Sequence, residues 1–445
     1  MEKILLIQLA KLGDFIQSTP LLANLRRLHP GAGMFILARD ASVLEAARIS
    51  PLVDQVLTST EEAVNQGFFE QVYVLNSHLE AAQAGAMIKA GQYFGPRLFE
   101  NGLRFSPGRL FLLGLMTIDR KLGRFNLVDV WNSLIPEAKP LPVYWPEVSA
   151  EIGLDRPEGV LIGLQLGCRN HLRRWPVENF IRLGEELLGK GLDFTPVLLG
   201  SKEERALARK FISLWGDKKV VDLVGSTDLE SLASTIEILD LLVSGDTGVM
   251  HLAAAKGRPV LALFFGPAYG PETGPYGAGH IIYQATAACG PCMENSNCRR
   301  RQCLEMPQPD IAAACAELLI KGFEADQQFL PNLPSGHRLW ASSVSSFGQD
   351  LIPLARPALG KEEALALLLT EAGRHLLRPP YQPDSALLSH ILSFYDQRGA
   401  GKYSIGFSRI AGRISEVGFG GRKNEAQAFA DDVHRLGAEI GLNIA

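Results

Sequence analysis

Residues able to do chemistry gather at four places along the 445-residue chain. The richest is Ser244-Gly245-Asp246-Thr247-Gly248, which sits between an apolar run at 239–243 and a helix-forming stretch that ends at Gly257-Arg258-Pro259. Gly245 and Gly248 let a backbone turn sharply and approach a ligand. Asp246 or Thr247 can cap the helix that follows. Free amides and the positive dipole end at such a helix start suit a phosphate, as at the carboxyl edge of an open α/β sheet. His251 lies four residues after Thr247, on the same helical face, and can donate a hydrogen bond to that phosphate. Asp246 is expected to shape the turn, since its carboxylate would repel a phosphate, which leaves the backbone at Thr247 and Gly248 to hold it. A plain capped connection with a packed histidine fits the same local pattern.

The second place is Lys11-Leu12-Gly13-Asp14, after the first apolar run. A dinucleotide fingerprint needs three glycines here and only Gly13 is present, which argues against a nicotinamide-dependent oxidoreductase. Asp14 can point from a strand end into a cleft as a general base, or it can cap a helix. If the helix starts only at Thr19-Pro20, Asp14 is too early to cap it. The third place, Arg169-Asn170-His171-Leu172-Arg173-Arg174, follows Gly167 and gathers positive charge at the end of another apolar run. Arginine forks suit phosphate oxygens, although charge runs are more often solvated surface. The fourth is Cys289, Cys292, Cys298 and Cys303, close enough for a structural Zn or Fe site or for unliganded reduced thiols. Four protein thiolates would leave no open catalytic position.

These groups need a scaffold, and the pattern supplies one. Strand-length apolar runs at 3–9, 33–38, 71–76, 160–166, 194–199, 239–243 and 260–265 alternate with amphipathic stretches, the rhythm of βαβ units and parallel sheets. Pro136, Pro140, Pro142, Pro146 and Pro157 interrupt it, so a domain boundary is placed between 1–145 and 158–325. Thr227-Asp228-Leu229-Glu230 reads as a capping box starting a helix at Thr227. Beyond about 325 the strand rhythm fades, and 326–445 reads as a helical extension with helices at 362–377 and 385–395.

Composition fits a folded protein, with 47% hydrophobic and 21% charged residues, and the formal charge of −4 points to no nucleic-acid partner. The start lacks the apolar core and cleavage site of a signal peptide, and no apolar run approaches the roughly 20 residues that span a bilayer. A cytoplasmic location is expected. Residues 98–131 mix arginines and a lysine with aromatic and aliphatic side chains, which suits either an acceptor-facing or inner-membrane surface patch or a packed helix with a basic wet face.

Taken in order, Lys11-Leu12-Gly13-Asp14 with Thr19-Pro20-Leu21-Leu22, Arg173-Arg174-Trp175-Pro176, Leu223-Val224-Gly225, Asp246-Thr247-Gly248 with His251-Leu252-Ala253-Ala254, and Phe265-Gly266-Pro267 resemble glycosyltransferase family 9, the heptosyltransferases of lipopolysaccharide assembly. The Cys289-Gly-Pro-Cys292 segment resembles a feature of many members. The resemblance implies a GT-B fold, two Rossmann-like domains facing a cleft, with the acceptor on the N-terminal domain and the sugar nucleotide mainly on the C-terminal one. It implies inverting transfer from ADP-heptose to a glycan or glycolipid hydroxyl without a catalytic metal. Asp14 would be the base, with Lys11 and Gly13 in the acceptor-side loop. Arg173 would stand where a phosphate-binding lysine is usual, and Thr247, Gly248 and His251 would hold the diphosphate. The alternatives are a catalytically silent GT-B binding protein and a protein-O-glycosylating relative. The 326–445 tail lies outside the family pattern.

Overall fold

The protein is described from a computed structural model over residues 2–355, apart from 77–78, 100–101, 107–124, 148–157, 288, 291, 293–297, 323–332 and 347, with only the backbone of 102–106. The two helices expected at 362–377 and 385–395, and most of the basic and aromatic stretch after residue 106, lie outside the described residues.

The first sheet holds β1 (Lys3–Ile7), β2 (Gly33–Leu37), β3 (Gln55–Leu57), β4 (Phe68–Val74), β5 (Lys89–Phe99) and β6 (Gly102–Ser106), in the order β3-β2-β1-β4-β5-β6. Its strands run parallel until the β5–β6 hairpin, which is antiparallel. Helices α1 (Leu12–Leu28), α2 (Ala41–Ile49), α3 (Thr60–Asn65) and α4 (Leu79–Met87) belong to this half. The stretch at 98–131 thus begins as strand, where a packed helix was one expectation. α5 (Leu127–Asn132) follows and leads into an irregular segment that carries Pro136, Pro140, Pro142 and Pro146.

The second sheet is ordered β14-β13-β12-β11-β10-β7-β8-β9, from β7 (Val160–Gln165), β8 (Phe194–Leu199), β9 (Val221–Asp222), β10 (Leu241–Ser244), β11 (Val260–Phe264), β12 (Ile281–Ala285), β13 (His337–Ser345) and β14 (Gly348–Pro353). Its helices are α6 (Val177–Gly189), α7 (Arg205–Trp215), α8 (Leu229–Glu237), α9 (Gly248–Ala255), α10 (Gly270–Thr273) and α11 (Pro309–Lys321). β7 through β12 are parallel, and β13 and β14 close the edge antiparallel. The second sheet therefore runs past residue 325, where the helical extension was expected to begin. β13 carries Trp340, Val344 and several serines rather than a long apolar run, so its strand character comes from pairing with β12.

Two boundaries shift. The capping box expected at Thr227 and Glu230 forms one residue later: the Asp228 carboxylate accepts the Ser231 N–H at 2.8 Å, and Ser231 Oγ accepts the Asp228 N–H at 3.0 Å. The helix after β1 starts at Leu12 and runs through Pro20. Proline has no N–H for the Ile16 carbonyl. The Thr19 hydroxyl donates to that carbonyl at 2.7 Å, which keeps the turn bonded.

Alternation along the strands feeds cores on both faces of each sheet. Ile4 and Leu6 join α1 residues and, from the second half, Leu242, Met250 and Ala253 in one apolar cluster. Leu5 and Ile7 pack on the opposite face with Phe69, Val74 and Ala84. Ile162, Leu164, Phe180, Phe211 and Trp215 form the other core of the second sheet. The shared cluster holds α1 against α9, and this packing positions the site.

Candidate functional site

The loop after β1 is built from buried amides. Asn76, at the carboxyl edge of β4, accepts the Leu9 N–H at 2.6 Å and donates to Gln8 Oε1; Gln8 Nε2 donates to the Asp14 carbonyl at 3.1 Å. Gln8 and Asn76 are both buried. Pattern reading missed this pair because neither residue has a motif, although buried polar side chains at strand ends are characteristic of loop anchoring. Asp14 occupies the first turn of α1, and its carboxylate accepts the Lys11 N–H at 3.1 Å, so the capping role is realised. The carboxylate remains partly exposed. A helix starting at Thr19 is therefore replaced by one in which Asp14 caps its own first turn. Lys11 turns away to pair with Asp40. Burial works to raise the Asp40 pKa, and the hydrogen bonds from Lys11 and Ser42 outweigh it and hold the carboxyl below its usual value.

Across from this loop, β10 ends at Ser244 and Thr247 caps α9: its hydroxyl accepts the Met250 N–H at 3.4 Å and lies 3.0 Å from Ser244 Oγ. The amides of Gly248 and Val249 come before the first intrahelical bond and form the anion-binding end of the helix. Asp246 does not cap. Its carboxylate lies 2.7 Å from Arg173 Nη1, with side chains 12% and 21% exposed respectively. Arg173 is carried by a 3-10 turn at His171–Arg173, after Gly167 and beside β10, and its carbonyl lies where a Cβ on Gly245 would come within 3.2 Å. Arg174 is directed elsewhere, donating to the Cys168 carbonyl at 2.8 Å, and Arg169 and His171 are exposed. Of the expected positive cluster, one guanidinium thus reaches the Asp246 loop. Burial pushes the Cys168 thiol up to about 11 despite Arg173 and Arg174 nearby, so it is no nucleophile at neutral pH.

His251 is buried, its Nδ1 has no hydrogen-bond partner among the described residues, and burial lowers its pKa to about 4, a fall that Asp246 partly opposes. The ring is neutral at pH 7. It is turned toward α1: a Cβ on Gly13 would lie 2.7 Å from His251 Cδ2 and 3.3 Å from Nε2. Gly248 meets the same helix, with Leu12 Cβ and Cδ2 each 3.3 Å from the place of its Cβ. The absence of side chains at Gly13 and Gly248 serves this apposition of two helix starts.

Glu204 is the carboxylate that motif reading passed over. It lies between the ends of β7 and β8, accepts the Ser201 N–H at 2.8 Å, and touches the places where Gly167 and Gly200 would carry a Cβ. Its signal was present in Ser201-Lys-Glu-Glu204, a capping box that follows a glycine.

The four cysteines lie near one another, with Cys303 beside Gly266 just past the carboxyl end of β11. Cys303 is half-buried near Gly266, with its thiol pushed up by burial and then by the nearby Cys292, Cys298 and Cys289; Cys298 Sγ accepts the Arg301 N–H at 3.5 Å. Among the described residues no three His, Cys, Asp or Glu side chains are grouped to hold a metal ion.

Residues 144–302 match the family model for glycosyltransferase family 9 (heptosyltransferase). The lipooligosaccharide heptosyltransferase 2 of Haemophilus ducreyi is 24% identical over 306 residues, spanning 62% of this chain and 85% of that protein. The lipopolysaccharide heptosyltransferase 2 of Escherichia coli K12 is 27% identical over 150 residues, or 30% and 40% of the two chains. Among solved structures, a family 9 glycosyl transferase from Veillonella parvula superposes with a TM-score of 0.55 at 18% identity, covering 72% of this chain and 97% of that one. The E. coli ADP-heptose lps heptosyltransferase II gives 0.53 at 20%, covering 72% and 98%. The architecture is of the GT-B type, and the chain resembles glycosyltransferase family 9.

Proposed function

We propose, from this resemblance and from the apposition of the Asp14 and Thr247 helix starts, that the chain is an inverting glycosyltransferase moving heptose from ADP-heptose to a hydroxyl of a lipopolysaccharide core or related glycan. The observation that supports the reading is the meeting of α1 and α9 at their N-termini through Leu12, Gly13, Gly248 and His251, with Asp14 the next residue along α1. Asp14 takes the acceptor hydroxyl proton, the hydroxyl oxygen attacks the anomeric carbon, and the bond to the diphosphate breaks on the opposite face. Negative charge grows on the leaving diphosphate, where the amides of Gly248 and Val249 and the Arg173 guanidinium stabilise it. Arginine offers five N–H donors in a fork, so Arg173 can serve Asp246 and a phosphate oxygen together. With that charge met by protein groups, the reading assigns no step to a divalent cation. Glu204, at the carboxyl edge of the same sheet, is suited to accept hydrogen bonds from a ribose diol.

A glycolipid acceptor would bring the protein to the inner-membrane surface from the cytoplasm; among the described residues no helix is long and apolar enough to cross a membrane. The test is a thermal-shift screen over ADP, UDP, GDP and their sugar conjugates, because a bound ligand raises the melting temperature. ADP and ADP-heptose should give the largest shifts. Equal or larger shifts with uridine or guanosine diphosphates would discard ADP-heptose as donor, and no shift with any would discard the glycosyltransferase reading. ADP release from ADP-heptose should persist in excess EDTA.

A further inference from the structure

Gly13 has no backbone reason to be glycine. It lies inside the first turn of α1, and its φ is not among the positive values that favour glycine. Alanine in that position would favour the helix. What excludes a side chain is the donor-side half of the molecule. A Cβ at Gly13 would lie 2.7 Å from His251 Cδ2, and that residue is 3% exposed, on α9 between Met250 and Leu252 of the apolar cluster shared by both halves. A buried ring has no room to swing away. Gly13 therefore sets how closely α1 approaches α9, and the next residue along α1 is Asp14.

We propose that Gly13 is a positioning residue: through its contact with the His251 ring, the helix that binds the donor diphosphate fixes the place of the Asp14 carboxylate. This rests on the reading of Asp14 as the base. An alanine at 13 would push the first turn of α1 away from α9, and displacement of a reacting group by about 1 Å can cost on the order of a hundredfold in rate. The diphosphate site, which lies on α9 and Arg173, would be left in place.

The experiment is a double-mutant cycle of Gly13→Ala and His251→Ala, read by ADP affinity in calorimetry and by ADP release from ADP-heptose with heptose-deficient lipopolysaccharide as acceptor. Gly13→Ala in the wild-type background should lower kcat about a hundredfold while ADP affinity stays within threefold. In the His251→Ala background, where the ring is gone, the same glycine replacement should cost less than threefold. Equal costs in the two backgrounds, or a parallel fall in ADP affinity and turnover, would overturn the proposal. If Gly13→Ala alone does not fold, a double variant that folds supports the contact and one that also fails overturns it. Asp14→Asn separates the two readings: normal turnover in that variant removes Asp14 as the base, while the cycle still reports whether Gly13 and His251 are coupled.

Discussion

Arg173 and Asp246, 73 residues apart in the chain, meet at 2.7 Å with both side chains largely withdrawn from solvent. The pair places a cation beside the start of α9 with its counter-ion already in position. A diphosphate arriving there meets an arginine held in orientation and a carboxylate that repels it.

Opposite effects on nucleotide affinity should follow from the two halves of this pair. Arg173→Ala removes a charge-assisted donor worth about 1.5–3 kcal/mol and leaves the Asp246 carboxylate facing the phosphates. ADP affinity measured by calorimetry should fall at least about tenfold, and its dependence on salt should weaken. Asp246→Asn keeps a hydrogen-bonding side chain and removes the repulsion, so ADP should bind as tightly as in the wild type or tighter. Unchanged affinity and salt dependence in Arg173→Ala would remove its phosphate role.

Asp14 has two functions that substitution can separate. It accepts the Lys11 N–H at the start of α1, and it is the proposed base. Asp14→Ala should lose about 1 kcal/mol of stability as a lost cap, and Asp14→Asn, which retains an acceptor, should lose less. Both should lower turnover by a factor on the order of 10² to 10⁴. Near-normal turnover in both variants, measured at saturating ADP-heptose, would leave Asp14 as a cap alone.

α5 is clasped to the second sheet through Asp129, whose carboxylate accepts the Tyr276 hydroxyl at 2.7 Å and the Gln349 N–H at 3.0 Å. Gly348 has a φ of +120°, and a Cβ there would lie 2.1 Å from Asp129 Oδ1. Backbone strain and displacement of a buried carboxylate act together, so Gly348→Ala should destabilise by about 2–4 kcal/mol in urea denaturation. A loss below about 0.5 kcal/mol would mean that the clasp yields without cost.

Acid should destabilise the fold through buried histidines. Burial holds His251 and His280 neutral, each with its pKa lowered to about 4. Above the ordinary histidine value of about 6.5, neither state binds a proton and no pH dependence arises. As pH falls from there toward 4, the unfolded chain takes up protons that the folded one refuses, so stability is lost at up to about 1.4 kcal/mol per pH unit for each group. His251→Gln should flatten the decline between pH 6.5 and 4.5 relative to the wild type. An unaltered slope in urea denaturation would show that the ring is not held neutral by the fold.

Much of this molecule was written locally. The apolar runs 3–9, 160–166 and 239–243 became central parallel strands, trimmed by one or two residues at one end and, for β10, extended to Ser244 at the other, because unbroken Leu, Ile and Val segments of that length are stable only when covered on both faces. The Thr247 cap and the glycine after α9 were likewise legible, since capping is settled by neighbours within one turn. The start of α1 was not: Pro20 suggested a boundary, and what allows the helix to pass through it is the Thr19 hydroxyl taking over the Ile16 carbonyl. Nor was the edge of the second sheet, because β13 is a strand by virtue of the partner it meets.

The sequence by itself determined which groups could do chemistry: an aspartate after a glycine, a helix start able to hold phosphate, an arginine beside it. Tertiary packing alone decided their relations. It turned Arg173 onto Asp246, set the His251 ring against Gly13, 238 residues away in the chain, and brought Glu204 to the strand ends. Local rules act within about one turn or one strand pair. Contacts between residues so far apart in the chain depend on how two sheets and their helices share a core, and no spacing in the chain encodes that directly.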